Sequence, residues 1–204
     1  MSKAGIGRRG VLGAAGLLLV RPLRARAATA KPRVAIETGR GRIVVELEAV
    51  KAPVTSANFL RYVDGGKYDG GTIYRAARTP GAPGAGSIQG ARAVRARAFR
   101  PVAHESTQVT GLRHKAGTIS MGRAAPGSAT SDFFICASAQ PFLDAHPGAA
   151  GDNQGFAAFG TVVEGMAVVR KILALPTTGK TSVPAMKGQI LDPPVPILSM
   201  KRVG

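Results

Sequence analysis

The sequence predicts a mostly antiparallel β domain whose sheet closes into a barrel. Strand-like runs are short and numerous, helix-like runs are two and brief, and the two kinds do not alternate as in a parallel βαβ sheet. Closing the sheet removes the exposed edges that many short strands would otherwise leave. The chain has 204 residues with 27 Gly, 14 Pro and no Trp, which suits one domain with a single core of Val, Ile, Leu and Phe. No internal repeat is evident.

Residues 1–27 stand apart from that domain. "MSKAGIGRRGVLGAAGLLLVRPLRARA" has a basic start, an apolar run from Val11 to Val20, and a small-residue end at Ala25-Arg26-Ala27. The run is well short of the roughly 20 residues that a membrane-spanning helix needs. It reads as a removable export signal rather than an anchor. Arg8-Arg9 resembles a twin-arginine signal, which carries folded proteins, beside the plainer reading of an ordinary export signal with two basic residues. The expectation is a mature domain over 28–204, located in the periplasm and without a stable membrane anchor.

Within that domain, Arg33 to Glu37 and Arg42 to Glu48 alternate in part between apolar and polar, and Gly39-Arg40-Gly41 reads as the hairpin turn between them. Pro53 stands at a helix start, Phe59, Leu60 and Val63 share its apolar face, and Gly65-Gly66 ends it. A strand is expected at Thr72 to Arg75, then a loop over the tract "TPGAPGAG", where glycine and proline dominate. In "GTISMGRAAPGSATSDFFICAS", two apolar runs, Thr118 to Met121 and Phe133 to Cys136, flank small residues that let another backbone come close. A strand at Phe156 to Val163 and a helix from Met166 to Leu173 follow. In the tail, Pro193, Pro194 and Pro196 argue against a continuous central strand. Long loops for the strand count place function on the loops.

The formal charge is +17, from 28 Lys and Arg against 11 Asp and Glu. Six of the basic residues and none of the acids lie in 1–27, so the remainder carries +11. The cluster Arg92, Arg95, Arg97 and Arg100 could meet an anionic surface, but it reads first as a solvated loop. With three Tyr, seven Phe, no Trp and no base-stacking motif, nucleic acid is not an expected partner. Cys136 is the only cysteine and reads as a buried strand residue, so no internal disulfide forms. His104, His114 and His146 lack metal-ligand spacing and read as surface or loop residues. No metal or cofactor is implied. No Ser/His/Asp set, paired carboxylates or phosphate loop is visible, although the small-residue stretch builds a place for a bound chain.

"ANFLRYVDGGKYDGGTIYR", "IQG", "GTISMGRAAPGSATSDFFI", "PFLD" and "FAAFGTVVEGMAVVRKI" resemble, in order and spacing, the cyclophilin-type peptidyl-prolyl cis-trans isomerases, most of all their exported bacterial branch. The resemblance runs from about Val34 to Val203 and implies an eight-stranded β-barrel closed by two helices, with the substrate proline in a surface pocket. It implies an enzyme that assists the folding of exported proteins by turning Xaa-Pro bonds, needs no cofactor, and binds proline-containing polypeptides. Arg75 is similar to the family's catalytic arginine, and Gln89 to the glutamine that orients it. Phe134 matches the aromatic floor and Phe142 and Leu143 the rim, with Phe142 in place of the Trp of many members, and Phe156 stands at the binding site where others have a His. Gly122, Arg123 and Ala124 match the segment whose backbone bonds the substrate. A monomer is the default.

Such chemistry needs no nucleophile. The barrier of about 18–20 kcal/mol comes from amide resonance, so a catalyst need only favour the twisted state in which that resonance is lost. In that state the proline nitrogen has a free lone pair to which a fixed guanidinium can donate.

Two departures stand out. The segment "AARTPGAPGAGSI" between Arg75 and Gln89 is longer than the family's, and Gly86 and Ser87 stand near where a Phe and a Met help line the pocket. Asp132 stands where the family commonly has Gln, and as a binding-site carboxylate it is expected to bond Arg75, an interaction worth roughly 1.5–3 kcal/mol. The Asp132 bond would make a slow or selective isomerase, and the shortened pocket lining supports a second reading, a proline-peptide-binding or holdase module with weak or no turnover.

Overall fold

The computed structural model describes Met1, residues 31–94 and residues 96–204. The expected export signal and Arg95 therefore lie outside the described residues. Alternation builds the first hairpin. In β1 (Arg33–Thr38) and β2 (Gly41–Leu47), Val34, Ile36, Ile43, Val45 and Leu47 turn inward and are fully buried. On the outside, Arg33 pairs across the strands with Glu46 at 2.8 Å. The remaining strands are β3 (Thr72–Thr79), β4 (Ala82–Ala91), β5 (Thr118–Met121), β6 (Phe133–Cys136), β7 (Ala158–Glu164) and β8 (Ile190–Val203). They close in the order β1-β2-β7-β5-β6-β4-β3-β8, every paired neighbour antiparallel. The eight-stranded barrel is as expected.

Helix α1 (Pro53–Asp64) and helix α3 (Met166–Leu173) match the two expected helices, and a single turn, α2 (Thr107–Thr110), is added. Ala52 offers α1 no side-chain cap, and the Glu105 carboxylate replaces it, accepting from the N–H groups of Val54 at 3.0 Å and Thr55 at 2.7 Å. The buried face of α1 places Phe59 against Tyr68, Phe133 and Phe159 at ring distances of 5.4, 5.9 and 5.2 Å. Val169, Ile172 and Leu173 of α3 join the same core. No helix among the described residues is long and apolar enough to cross a membrane.

Two expectations require correction. The tract "TPGAPGAG" is not a loop: β3 and β4 continue through it as a hairpin turning at Pro80-Gly81. Pairing holds at Ala76↔Ile88, Ala77↔Ser87 and Arg78↔Gly86, and the extra residues are absorbed by a bulge before Thr79↔Ala82. The tail prolines do not interrupt β8 either. β8 pairs with β1 only from Ile197 onward and with β3 at Ile190, Val195 and Pro196, so Pro193 and Pro194 fall in an irregularity where β3 makes no pairing. All three prolines are solvent-exposed, so their missing N–H groups leave no buried ladder position unfilled.

Candidate active site

The site begins with a bulge in β3. Ile73 and Ala76 both point into the core, each 1% exposed, although they are three residues apart rather than two. The register of β3 slips between Ile73 and Arg75 against both neighbours, which leaves Tyr74 as the extra residue. Tyr74 and Arg75 consequently both face away from the core. The Arg75 guanidinium is gripped from two sides: Nε donates to Gln189 Oε1 at 2.8 Å and Nη1 donates to Gln89 Oε1 at 2.9 Å. Nη2 bonds none of the described residues. Burial draws the Arg75 pKa below its usual value, an effect the neighbouring Tyr74 opposes; an arginine remains charged under such a shift.

In front of this group lies a cleft of about 430 Å³. It brings together eight of the expected residues: Arg75 and Gln89, Gly122 and Arg123, and the apolar set Phe134, Phe142, Leu143 and Phe156. Phe134 forms the floor, with Phe156 edge-on to it at 5.4 Å and 88°. Phe142, 67% exposed, stands at the rim on a short 3-10 turn, Pro141–Leu143. The apolar lining that the sequence lacked near Gly86 and Ser87 comes from elsewhere, from Pro80 at the hairpin turn and Met186 in a second 3-10 turn, Pro184–Met186. No carboxylate, histidine or cysteine lines the cleft among the described residues.

The segment Gly122–Ala124 runs along the cleft with part of its backbone already engaged. Gly122 N–H donates to Asp132 O at 2.7 Å, and Ala124 N–H to Ser128 Oγ at 3.0 Å. The Arg123 N–H and the Gly122 and Arg123 carbonyls have no hydrogen-bond partner among the described residues. Gly122 leaves little room for a larger residue, because a Cβ would lie 3.1 Å from Asp132 Cβ and 3.2 Å from Gln89 Nε2 and these would have to shift. Ala124 lines the adjoining cavity instead of the main cleft. The Arg123 side chain lies over the Phe156 ring at 5.0 Å and forms a two-pronged ion pair with Asp152.

Asp132 does not take the expected place. Its Oδ1 accepts from the Tyr74 hydroxyl at 2.9 Å, and it neither bonds Arg75 nor lines the cleft. The bulge explains this, since it inserts Tyr74 between the carboxylate and the arginine. Burial, with the Asp132 charge next in importance, pushes the Tyr74 phenol well above its ordinary range, so it donates to the carboxylate without ionising.

His114 also departs from expectation. It lies in a loop, as expected, but is buried rather than at the surface: Nδ1 bonds Asp144 Oδ1 at 2.7 Å, Nε2 bonds Ser120 Oγ at 3.0 Å, and the ring stacks on Phe134. A Ser/His/Asp set thus exists after all, but Ser120 is fully buried and no substrate carbonyl reaches its hydroxyl. Cys136 is buried as expected, and burial pushes its thiol up to about 12, which removes it as a nucleophile at neutral pH.

Gln189 and Met186 are among the cleft residues that sequence reading missed. Gln189 lies 114 positions from Arg75, and no periodicity or motif connects the two. Only closure of the barrel between β3 and β8 brings them together.

A closed antiparallel barrel, with a cleft on its outer wall that offers one anchored guanidinium, an aromatic floor and an open backbone edge, defines a binder of extended polypeptide equipped to work on a bond by hydrogen bonding alone. The model for cyclophilin-type peptidyl-prolyl cis-trans isomerases matches residues 33–201. A peptidyl-prolyl cis-trans isomerase of Acinetobacter baylyi is 34% identical over 85% of this chain and 87% of its own length. Isomerase A of Dickeya dadantii is 38% identical over 74% and 76%. A cyclophilin-type isomerase of Cryptosporidium parvum, 20% identical, superposes with a TM-score of 0.65 over 85% of this chain and 98% of that one. The chain belongs to the cyclophilin-type peptidyl-prolyl cis-trans isomerases and is an enzyme of that class.

Proposed function

We propose that this isomerase turns Xaa-Pro bonds in exported polypeptides outside the cytoplasm, with Arg75 as its catalytic residue. The observation that carries the reading is the Arg75 fork, held between Gln89 and Gln189 with Nη2 directed to no internal partner, beside the Phe134 floor. The proline ring rests on Phe134, between Phe142 and Leu143 at the rim and Met186 on the other wall. The flanking chain bonds the open groups of Gly122 and Arg123. As the amide twists, resonance is lost and the nitrogen becomes pyramidal, and the guanidinium donates to its lone pair. That bond is absent in the planar ground state, so it lowers the barrier instead of merely tightening binding. Binding of proline-containing segments has a parallel among the structural neighbours, one of which was solved in the presence of the dipeptide Ala-Pro.

Periplasmic placement rests on the basic start, short apolar run and small-residue end of 1–27. The mature enzyme, 28–204, acts as a monomer, which light scattering tests directly. Met186 and Pro80 supply apolar lining where the family's Phe and Met are missing, so a shortened lining no longer argues for a passive binding module.

The deciding experiment measures cis-trans exchange of a short Xaa-Pro peptide by NMR with the 28–204 protein and with Arg75→Ala. The variant is expected to bind the peptide and lose roughly 10²-fold in kcat, as when one transition-state donor is removed. Undiminished exchange in Arg75→Ala removes the assignment.

A further inference from the structure

Below the proline pocket lies a group of polar side chains that the isomerisation itself does not touch. His114 is 2% exposed, and its ring lies nearly parallel to that of Phe134, with centroids 5.8 Å apart and planes 15° apart. Stacking alone leaves a ring free to slide and rotate in its plane. Here the imidazole is pinned at both ends, Nδ1–H donating to Asp144 Oδ1 at 2.7 Å and Nε2 accepting from the Ser120 hydroxyl at 3.0 Å. Ser120 sits on β5 directly opposite Phe134 on β6. The support under the floor is therefore tied to the strand that neighbours the floor.

The same residue also fastens the rim. Asp144 Oδ1 accepts from the His114 N–H at 3.0 Å, and the His114 carbonyl accepts from Gln140 N–H at 2.8 Å. The rim segment from Gln140 to Asp144, which carries Phe142 and Leu143, is thus held at both ends by one residue. Burial lowers the His114 pKa, although the Asp144 bond opposes it, so the ring is neutral and keeps one donor and one acceptor. The other titratable groups at hand are Arg113, 3.7 Å from Asp144 Oδ2, and the un-ionised Cys136 thiol.

We propose that His114 is a positioning residue of the isomerase: pinned between Ser120 and Asp144, it sets the plane of the Phe134 floor and fixes the Gln140–Asp144 rim over it. The inference rests on the cleft being the substrate site. Floor and rim hold the proline alike in the planar and twisted states, so loosening them raises KM and leaves kcat nearly intact. A residue that only stabilises the fold would change neither constant in the molecules that remain folded.

The test measures kcat, KM and the thermal midpoint for wild type, His114→Leu, His114→Gln and Ser120→Ala. Val169→Ala, buried in α3 and outside the cleft, is the control for lost stability. His114→Leu is expected to raise KM about tenfold with kcat within about twofold. His114→Gln, whose amide supplies both a donor and an acceptor, recovers most of that loss, and Val169→Ala lowers the midpoint without moving KM. If His114→Leu does not fold, Ser120→Ala carries the test, with a rise of about threefold in KM. Unchanged KM in the folded His114 and Ser120 variants, or an equal rise in Val169→Ala, overturns the inference. Arg75→Ala run alongside separates the two readings: if it loses activity while the His114 variants keep their KM, only the role of His114 falls. If it keeps full activity, the site assignment falls and this inference falls with it.

Discussion

Arg75 owes its usefulness to two carbonyl oxygens on opposite sides of its guanidinium. Removing Gln189 frees Nε and lets the side chain sample rotamers that point away from the proline nitrogen. Gln189→Ala is expected to lower kcat by about threefold to tenfold, roughly 0.7–1.4 kcal/mol and so only part of the worth of one hydrogen bond to a charged group, because Gln89 still holds Nη1, with KM little changed. Arg75→Lys loses the rigid planar fork that meets both glutamines while leaving Nη2 free, and it should fail almost as badly as alanine. Asp132, in contrast, is bonded to Tyr74 and not to the arginine. Asp132→Asn is therefore expected to leave kcat/KM within about twofold of wild type in the same NMR exchange measurement, since the amide oxygen still accepts from the phenol. The family resemblance implied that Arg75 and Gln89 are neighbours, and they are one β-ladder pair. It misplaced Asp132 because a one-residue bulge changes which side chains share a face, and bulges have no dependable signature in side-chain pattern.

The β3–β4 hairpin and helix α1 each depend on a contact that their own residues do not announce. In the hairpin, Gly86 has φ +138°, and a Cβ there would meet Ala77 O at 2.1 Å. Gly86→Ala is expected to cost about 1–3 kcal/mol, read as a lower denaturation midpoint, and to disturb the cleft through neighbouring Ser87. Glycine and proline suggested a loop over this stretch, yet Arg78 holds the hairpin down by donating to the Leu173 and Leu175 carbonyls at the end of α3. Local propensity was outweighed by ladder pairing and by that distant anchor. For α1, the start at Pro53 and the stop at Gly65 were legible because proline and glycine act through their own backbones. Its cap was not, because Glu105 comes from about 50 residues away. Glu105→Ala is expected to cost about 1 kcal/mol of stability in a denaturant titration.

For the molecule as a whole, the buried His114 makes stability depend on mildly acidic pH. Its folded pKa lies below the ordinary value of 6.5, burial being the main cause. The unfolded chain therefore takes up the proton first, so this contribution is complete above about pH 6.5 and is lost as pH falls from there toward the folded value. The thermal midpoint should drop between pH 7.5 and 5.5 in the wild type and drop less in His114→Gln. The carboxylates of Asp64 and Asp152, held below their ordinary range chiefly by hydrogen bonds from Arg202 and Arg123, act in a separate window below about pH 4. What could be read directly from the residue order was what depends on neighbours in the chain: most strand runs, both longer helices and the β1–β2 turn, while Arg75, Gln89 and Phe134 were singled out only by resemblance to the family. What waited for the barrel to close was everything joining distant residues: Gln189 on Arg75, Met186 in the cleft, Glu105 on α1, and His114 beneath the floor. The physical reason is that short-range sterics and periodicity act within a few residues, whereas a buried polar group must find a partner wherever the folded chain provides one.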